Sequence, residues 1–484
     1  MPSTDASQPA PLTSNGKTLI LATAFLGWMF AGTLMAITPL TSGSAIKEMI
    51  PATRVSQPAK PVGPSSESPV PAAIKDSAAA PPAAAAKKDP NSPEAIIGRW
   101  FAWFNAAFLL GGATGGFVFG WVGDRAGRTK GMAFSILCFT ILSGVSYFVT
   151  SPWQLLVLRF LACMGVGGMW PNGIAIVSEA WAGVSRTFLA GLIGTAANVG
   201  IVMVGLLGLF FVVTPDNWRW LMLVATAPVV LGVFILFAVP ESPRWLSGAA
   251  ARQSAPPLAA EVFKPPLLGL TLVGICLGTI PLLGGWGSGN WLVPWSEQVG
   301  GKLDPDLKAW TLIARSTGGS IGSLLGGWVA GVLGRKRSYF LISFVSLAIS
   351  EYIFLKLTPA LRTEAGPWDF LLGLFGQGSP VTWSEVNWFS LWTFNLGVIS
   401  GLFFGWLPLC LPELFPTRVR STGAGVSFNF GRIASACGVL VAGQLIDYFA
   451  GDYGRVGSMM SMIYLLGMIV IWFAPDTTST DLAA

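Results

Sequence analysis

The sequence predicts an all-α membrane protein with twelve transmembrane helices in two six-helix bundles. Three observations predict this fold class. Of the 484 residues, 52% are hydrophobic and 11% are charged, and the chain contains no histidine. A water-soluble chain of this length needs far more polar surface. Apolar runs long enough to cross a bilayer recur along the chain, and a charged turn between two of them returns in the second half.

Twelve apolar runs of roughly 20 residues each can cross about 30 Å of hydrocarbon. The predicted spans lie near 18–40, 98–121, 131–150, 153–177, 187–213, 218–239, 267–296, 309–330, 338–358, 388–410, 421–446 and 456–474. They define a tail at 1–17, a first bundle at 18–239, a central loop at 240–266, a second bundle at 267–474 and a tail at 475–484.

The segment 41–97 between the first two spans has an unusual composition. It is rich in Ala, Pro, Ser and Lys. Such a composition buries too little apolar surface to fold alone, so it predicts a disordered outer loop.

The charged turn occurs first at Gly120–Lys130 and again at Gly327–Arg337. Each copy ends an apolar run, turns on glycines and carries cations into the next run. The acid of the first copy, Asp124, is replaced by Gly331 in the second. The repeat indicates two related halves, and the lost acid indicates that the halves are unequal.

A second repeated pattern ends the fourth and the tenth spans. Glu179 is followed by Arg186, and Glu413 is followed by Arg420 at the same offset. Two matches in corresponding places predict two parallel six-span repeats, related by an axis along the membrane normal.

Cations in the short loops predict the orientation of the chain. An even number of spans places both termini on one side, and the short loops of that side contain most of the cations. Cytoplasmic loops carry an excess of Lys and Arg, so both termini are predicted to be cytoplasmic. The residues concerned are Arg125, Arg128, Lys130, Arg186, Arg335, Lys336, Arg337, Arg418 and Arg420.

Several motifs resemble those of the major facilitator superfamily of transporters. The turn at 120–130 resembles the signature between its second and third spans, and 158–168 resembles its fourth-span signature. Pro240–Leu246 closely resembles the motif that ends the sixth span of its sugar-porter branch. Pro412–Arg420 resembles a loop of the sugar porters and of the metabolite–proton symporters. Together the motifs cover both halves, and they name no substrate.

The resemblance implies an inside gate built from charges at the cytoplasmic ends of the spans. Its members would be Asp124, Arg125 and Arg128, together with Glu179 and Arg186, and Glu413 and Arg420. The alternative is that these charges only fix the topology and solubilise loops. We prefer that alternative for the three cations at 335–337.

Charged residues within spans are expensive, and they are therefore candidates for the solute site. Arg432 lies near the middle of the eleventh span, and Asn429 lies one turn earlier on the same face. Arg159 and Arg315 lie nearer the outer face; Arg159 belongs to the fourth-span motif and is either structural or part of the site. We expect Arg315 to extend towards the interface instead.

Uncharged groups in the spans are further candidates for contact with the solute. Four glycines within 284–289 predict a break in the seventh span. The stretch resembles the flexible outer half of the seventh span in sugar porters, which implies an outer gate with Trp286 and Asn290 facing the solute; the alternative is close packing of helices through glycine. Polar residues also tie helices together without touching a solute, so this alternative stays open for the rest. They are Asn105, Trp170, Asn198 and Asn395.

The predicted function is secondary transport of a small organic solute across the cytoplasmic membrane of a bacterium by alternating access. Arginines without a nearby acid suit an organic anion, whereas tryptophan and asparagine suit a sugar. The alternative is a solute sensor derived from a transporter, with little or no flux. We expect no enzymatic activity, no metal, no cofactor and no nucleic-acid partner, and we expect a monomer in the lipid bilayer.

The spans also predict that uptake is not coupled to protons. The related symporters carry aspartates after a Gly-Trp pair in the first span, where this chain has Met29–Leu34, and a glutamate after a double glycine in the fourth span, where it has Met169. An imposed proton gradient should therefore not drive uphill uptake into proteoliposomes. Accumulation that follows the gradient and collapses with a protonophore would contradict this expectation.

Overall fold

The fold is that of a computed structural model in which every regular element of the described residues is helical. The structure describes residues 12–50, 92–181, 184, 186–242, 245–246, 258–302, 304–357, 385–416 and 419–477. Within these ranges the side chains at 186, 187, 190, 258, 259, 385–387 and 421 are not described.

The first half contains six long helices. They are α1 (Ser14–Met49), α2 (Pro93–Ala126), α3 (Arg128–Phe148, ending in a 3-10 turn), α4 (Pro152–Ala180), α5 (Arg186–Phe210) and α6 (Trp220–Ala238). Helix α6 is interrupted by a turn at 227–228, where Pro228 cannot donate a backbone hydrogen bond.

The second half contains six more. They are α7 (Leu268–Gly300), α8 (Leu307–Leu333), α9 (Arg335–Lys356), α10 (Glu385–Glu413), α11 (Arg420–Tyr448) and α12 (Tyr453–Phe473). We call the face on which α1 begins and α2 ends the terminal face, and the other side of the bundle the opposite face.

The predicted all-α architecture with twelve spans is confirmed. Eleven of the described helices are long and apolar enough to cross a membrane. The eighth predicted span is also one continuous helix, α8, although it falls outside that group. Its glycines, serines and two cations lower its hydropathy, and glycine and serine let it lie close against its neighbours.

The predicted loop at 41–97 is shorter in the structure, because both flanking helices extend into it. Helix α1 continues to Met49, and α2 begins at Pro93. Polar side chains in the extension of α1 are satisfied inside the protein: Thr41 donates to the Ile37 carbonyl, and Ser44 donates to the Val213 carbonyl. The rest of that loop, 51–91, lies outside the described residues.

The two copies of the charged turn have the same backbone form. Helix α2 passes to α3 through Gly127 (φ 114°), and α8 passes to α9 through Gly334 (φ 82°). Glycine adopts a positive φ without steric cost, which explains why both copies have a glycine at this place. The shared conformation supports the repeat inferred from the sequence.

Glycines bring α8 and α10 into backbone contact. A Cβ atom added at Gly318, Gly322 or Gly326 would lie 2.1 Å from a carbonyl oxygen of α10. Small residues spaced four apart allow such close approach between membrane helices. The second half therefore packs around this stripe.

The two halves meet along two seams. In the α2–α11 seam, Arg432 donates to the Gly112 carbonyl, and Asn429 lies against Gly116. In the α5–α8 seam, Thr195 donates to the Ser320 carbonyl at 3.3 Å. The candidate solute site lies along these seams.

Replacing Gly322 with alanine should destabilise the fold. The new methyl would lie 2.1 Å from the Val398 carbonyl oxygen, so α8 and α10 must separate. We expect a loss of about 1–3 kcal/mol, the usual cost of overpacking, seen as a lower melting temperature in detergent. Gly331→Ala on the same helix is the control, because a Cβ there meets no atom within 4 Å. Equal melting temperatures for the two variants would contradict the packing argument.

Candidate functional site

Arg432 is buried within α11 and bonds across the α2–α11 seam. Its Nη1 donates hydrogen bonds to the Gly112 carbonyl at 2.9 Å and to Asn429 Oδ1 at 3.4 Å. Its guanidinium lies 4.9 Å from the centre of the Phe428 ring. These partners are all neutral. The structure thus brings Arg432 and Asn429 together, as the sequence predicted.

A second polar group joins three helices in a chain of hydrogen bonds. Arg315 Nη2 on α8 donates to Asn290 Oδ1 at 2.9 Å. Asn290 Nδ2 on α7 donates to Asn105 Oδ1 at 3.0 Å, and Asn105 Nδ2 on α2 donates to the Phe101 carbonyl at 3.1 Å. Both asparagines are 1% exposed. This series of hydrogen bonds therefore connects the two halves through buried amides.

Arg315 was expected to extend towards the interface, and that expectation is wrong. The guanidinium instead turns inwards to Asn290 and to the Gly285 carbonyl, the latter at 3.5 Å. The predicted break in the seventh span supplies this acceptor, because α7 changes to a π turn at Gly284–Ser288. The sequence signal, a cation within a span, was present, but its direction depended on the broken helix.

Aromatic candidates lie at the contacts between helices. Trp286 packs on Phe108 of α2 with ring centres 4.2 Å apart, and Trp170 packs on Trp28 of α1 at 4.9 Å. Trp286 thus adds an apolar contact between the halves beside the Asn290 chain. Trp170 ties α4 to α1 within the first half.

The remaining amide candidates bond to protein groups. Asn198 Nδ2 contacts Ser323 Oγ at 3.4 Å across the α5–α8 seam. Asn395 Nδ2 donates to the Leu391 carbonyl of its own helix. The Asn198 amide joins the halves, and the Asn395 amide bonds to a backbone carbonyl inside its own helix, α10.

Arg159 bonds within the first half. Its Nη1 donates to the Leu34 carbonyl of α1 at 2.9 Å. It also lines a small cavity between α1, α3 and α4, together with Thr38, Ser143 and Ser146. These are the contacts of a residue that ties helices, and they differ from those of Arg432, which bonds to the other half.

The halves are joined by polar contacts at the opposite face. Arg99 Nη1 pairs with Asp447 at 2.5 Å, and Tyr453 donates its hydroxyl to the Glu94 carbonyl at 2.6 Å. Near the α5–α8 seam, Lys308 Nζ donates to the Val213 carbonyl at 3.3 Å. These contacts connect the two halves at the opposite face.

Some of the charges predicted for a gate in the first half bond to neighbouring groups of that half. Arg128 Nη2 pairs with Asp124 at 2.6 Å, and the Asp124 side chain is 56% exposed. Arg125 lies over the Trp121 ring at 4.7 Å and is also exposed. Glu179 accepts a hydrogen bond from the Ser242 hydroxyl. The side chain of Arg186, its expected partner, lies outside the described residues.

Glu241 caps the beginning of α3. Its carboxylate accepts from the backbone NH groups of Arg128 at 3.0 Å and of Thr129 at 3.2 Å. A negative charge is favourable at a helix N-terminus. Burial is the larger influence and raises the pKa of the Glu241 carboxyl, while the hydrogen bonds from the NH groups of Ser242, Thr129 and Arg128 act against it.

In the second half the structure replaces a predicted pair. Glu413 was expected to pair with Arg420, but it binds Arg335 through two hydrogen bonds of 3.1 and 3.2 Å and accepts from Thr477 at 2.6 Å. Arg420 donates to the Phe415 carbonyl instead. Arg335, which we had interpreted as topological charge, therefore has a buried partner, because the turn at Gly334 brings it to the end of α10.

The two halves use the corresponding arginine differently. Arg128 and Arg335 each follow the glycine of the turn. Arg128 pairs with Asp124, whereas Arg335, with Gly331 in place of that acid, pairs with Glu413. The loss of one carboxylate thus changes the partner of the repeated arginine.

The described residues contain no group of three metal-binding side chains. What the structure does contain is two cations within spans that bond to neutral partners at the contacts between halves, polar contacts across the halves at one face, and exposed charges at the other face.

Comparisons with known proteins agree with this geometry. The family model described as "Sugar (and other) transporter" matches residues 70–264. The inner membrane metabolite transport protein YgcS of Escherichia coli is 28% identical over 404 residues, which cover 78% of this chain and 83% of that protein. The cis,cis-muconate transport protein of Acinetobacter baylyi is 28% identical over 381 residues, which cover 76% and 83%.

A solved structure has the same fold. The xylose transporter XylE from E. coli, in a partially occluded inward open conformation, superposes with a TM-score of 0.62 at 16% identity. The match covers 97% of this chain and 100% of that chain.

The fold and these matches define a multi-pass membrane transporter and not an enzyme. The chain resembles transporters of the major facilitator superfamily, in particular its sugar porters.

Removing Arg335 should destabilise the protein more than removing a neighbouring cation. In Arg335→Gln the carboxylate of Glu413, whose side chain is 3% exposed, loses its counter-charge. Breaking a buried pair in this way costs about 3–5 kcal/mol, so the melting temperature of the purified protein should fall. Arg337→Gln is the control, since Arg337 is exposed. A similar melting temperature for both variants would show that the pair contributes little.

Proposed function

We propose that this protein transports a small organic anion, with a carboxylate as the recognised group, by alternating access. The observation that carries the proposal is Arg432, a cation within a span whose hydrogen-bond acceptors are a carbonyl and an amide. An arginine stays charged at physiological pH, and a charge within a membrane protein is expensive without a counter-charge. An anionic solute would provide that counter-charge.

The strengths of the hydrogen bonds support this choice of solute. Both acceptors bond to the same cation, but a carboxylate adds a Coulomb attraction to the guanidinium that a neutral carbonyl lacks. A carboxylate can also accept two parallel bonds from one guanidinium. A solute carboxylate would therefore compete well with the Gly112 carbonyl for Arg432. Because Gly112 belongs to the other half, solute binding would exchange a contact between the halves for a contact with the solute.

The distribution of contacts supports alternating access. The halves are joined at the opposite face by Arg99 and Asp447, whereas Asp124 and Arg128 of the terminal face bond within the first half. In the reverse state, those exposed charges would close the terminal face. Pairs of this kind contribute little each, which suits contacts that break in every cycle. We infer that the terminal face is cytoplasmic, from the cations of its short loops.

The names of the relatives support both solute classes. The transport protein of A. baylyi is named for cis,cis-muconate, an organic anion, whereas the solved structure is a xylose transporter. A sugar remains the second candidate because Asn105, Asn290 and Trp286 form an amide and aromatic group of the kind that suits hydroxyls. The arginine decides our preference, since a neutral sugar would leave its charge unbalanced.

A thermal-shift screen of purified protein tests the solute class. Mono- and dicarboxylates should raise the melting temperature, because a ligand that binds the folded state stabilises it, whereas xylose and glucose should not. The best carboxylate is then used in uptake by proteoliposomes. Binding without any flux would favour the sensor, and stabilisation by neutral sugars alone would contradict the anion proposal.

Arg432→Gln should weaken binding of that carboxylate by about 10- to 100-fold, the equivalent of one charged hydrogen bond. Arg432→Lys should recover part of the loss because it restores the charge. Arg455→Gln, an exposed cation of α12, is the control and should bind normally. Unchanged binding in a well-folded Arg432→Gln protein would remove Arg432 from the site.

A further inference from the structure

The hydrogen bonds that link Arg315, Asn290 and Asn105 can run in only one direction from donor to acceptor. A guanidinium can only donate hydrogen bonds, so Asn290 must turn its amide oxygen towards Arg315. Its amide nitrogen then points to Asn105 and donates to Oδ1 of that residue. Asn105 in turn points its own nitrogen at the Phe101 carbonyl. Arg315 thus orients both buried amides.

The bond between Asn290 and Asn105 crosses from one half to the other. We call these two residues the amide gate. It lies where α7 is a 3-10 turn, immediately after the π turn at Gly284–Ser288. Irregular turns of this kind accommodate local movement at functional sites. The amide gate is therefore a contact between halves located on a movable part of α7.

The group that orients the amide gate is partly exposed. Arg315 is only partly buried, and a Cβ atom added at Gly285 would meet no atom within 4 Å. Gly285 also supplies the second acceptor of Arg315, through a long bond of 3.5 Å. The guanidinium has one short bond and one weak bond, both to neutral oxygens.

We propose that Arg315 is a positioning residue that either orients the amide gate or binds the carboxylate of the solute, but does not do both at once. This inference rests on the proposed function, since it needs an anionic solute. When the carboxylate replaces Asn290 Oδ1 as the acceptor, Asn290 loses the donor that fixes its orientation. The bond to Asn105 then weakens, and the opposite face is released. Solute occupancy and a closed opposite face thus compete for one guanidinium.

This competition has a kinetic consequence. In the empty carrier Arg315 bonds to Asn290, which favours the closed opposite face. The empty carrier therefore changes slowly to the state that is open at the opposite face. A carrier that binds solute from the terminal side makes this change faster, because Arg315 then bonds to the solute and no longer to Asn290. Exchange of labelled for unlabelled solute should therefore exceed net uptake by about fivefold or more, the lower end of coupling between two sites.

The test measures exchange and net uptake of the same carboxylate in proteoliposomes. In Arg315→Gln the amide can still donate to Asn290 but offers no charge to the solute, so the ratio of exchange to net uptake should fall to about one, with slow exchange. Arg315→Lys should retain most of the ratio. In Asn105→Ala the amide gate is broken, so the ratio should also approach one, but through faster net uptake. A purely structural role for Arg315 would lower both rates equally and leave the ratio unchanged.

Arg455→Gln is the matched control, because it is the same substitution at an exposed cation of the same half. Its ratio of exchange to net uptake should equal that of the unaltered protein. The separation of the halves at the opposite face is also measured without solute, as the distance between spin labels at Thr150 and Lys302. Both positions are exposed at the opposite face, and they lie on different halves. Asn105→Ala should shift that distance towards longer values.

The outcomes separate the two proposals. If carboxylates neither bind nor move, the proposed function fails, and this inference fails with it. If carboxylates are transported but Arg315→Gln keeps the exchange ratio, or Asn105→Ala leaves the label distances unchanged, only this inference fails. A lower ratio in Arg315→Gln with recovery in Arg315→Lys supports it.

Discussion

A guanidinium within a membrane protein must obtain its hydrogen-bond acceptors from the protein itself, and the contacts between the two halves depend on this constraint. Arg432 and Arg315 obtain theirs from the other half or from a group that bonds to it: the Gly112 carbonyl in the first case, and Asn290 in the second. Each cation thus stabilises a contact between halves, and each would prefer a charged acceptor. A carboxylate that enters between the halves therefore changes their contacts by simple competition, without long-range communication through the helices.

Close helix packing makes these contacts possible. A backbone carbonyl on a membrane helix is exposed to a side chain of another helix only where small residues permit close approach. Gly112 is such a place: a Cβ atom added at the facing Gly167 would lie 2.0 Å from its carbonyl oxygen, and its own Cα bears no side chain to cover that oxygen. The glycines of α8 allow a similarly close approach to the backbone of α10. The abundance of glycine in this chain is thus a requirement of the seams as well as of the turns.

The two halves share one backbone plan but distribute their charges differently. At the terminal face Ser242 donates to Glu179, and Thr477 donates to Glu413, so the ends of the two halves correspond. The extra acid of the first half, Asp124, pairs with Arg128, and among the described residues Glu179 accepts from the Ser242 hydroxyl. The second half lacks that acid, and its arginine is buried against Glu413. One face of the transporter therefore has an exposed, breakable pair in one half and a buried, stable pair in the other.

Hydropathy and local repeats were sufficient to predict the twelve helices, the repeat of the two halves and the break at 284–289, because each depends on neighbours in the chain. They also identified Arg432 and Asn429, which lie one turn apart on one helix. The partners of the other charges depended on how the helices are rotated and packed. Glu413 binds Arg335 because the turn after α8 brings that arginine to the end of α10, and Arg315 turns inwards because a broken α7 presents free oxygens to it. Spacing along the chain contains no information about such distances, so only the packed structure could assign these pairs.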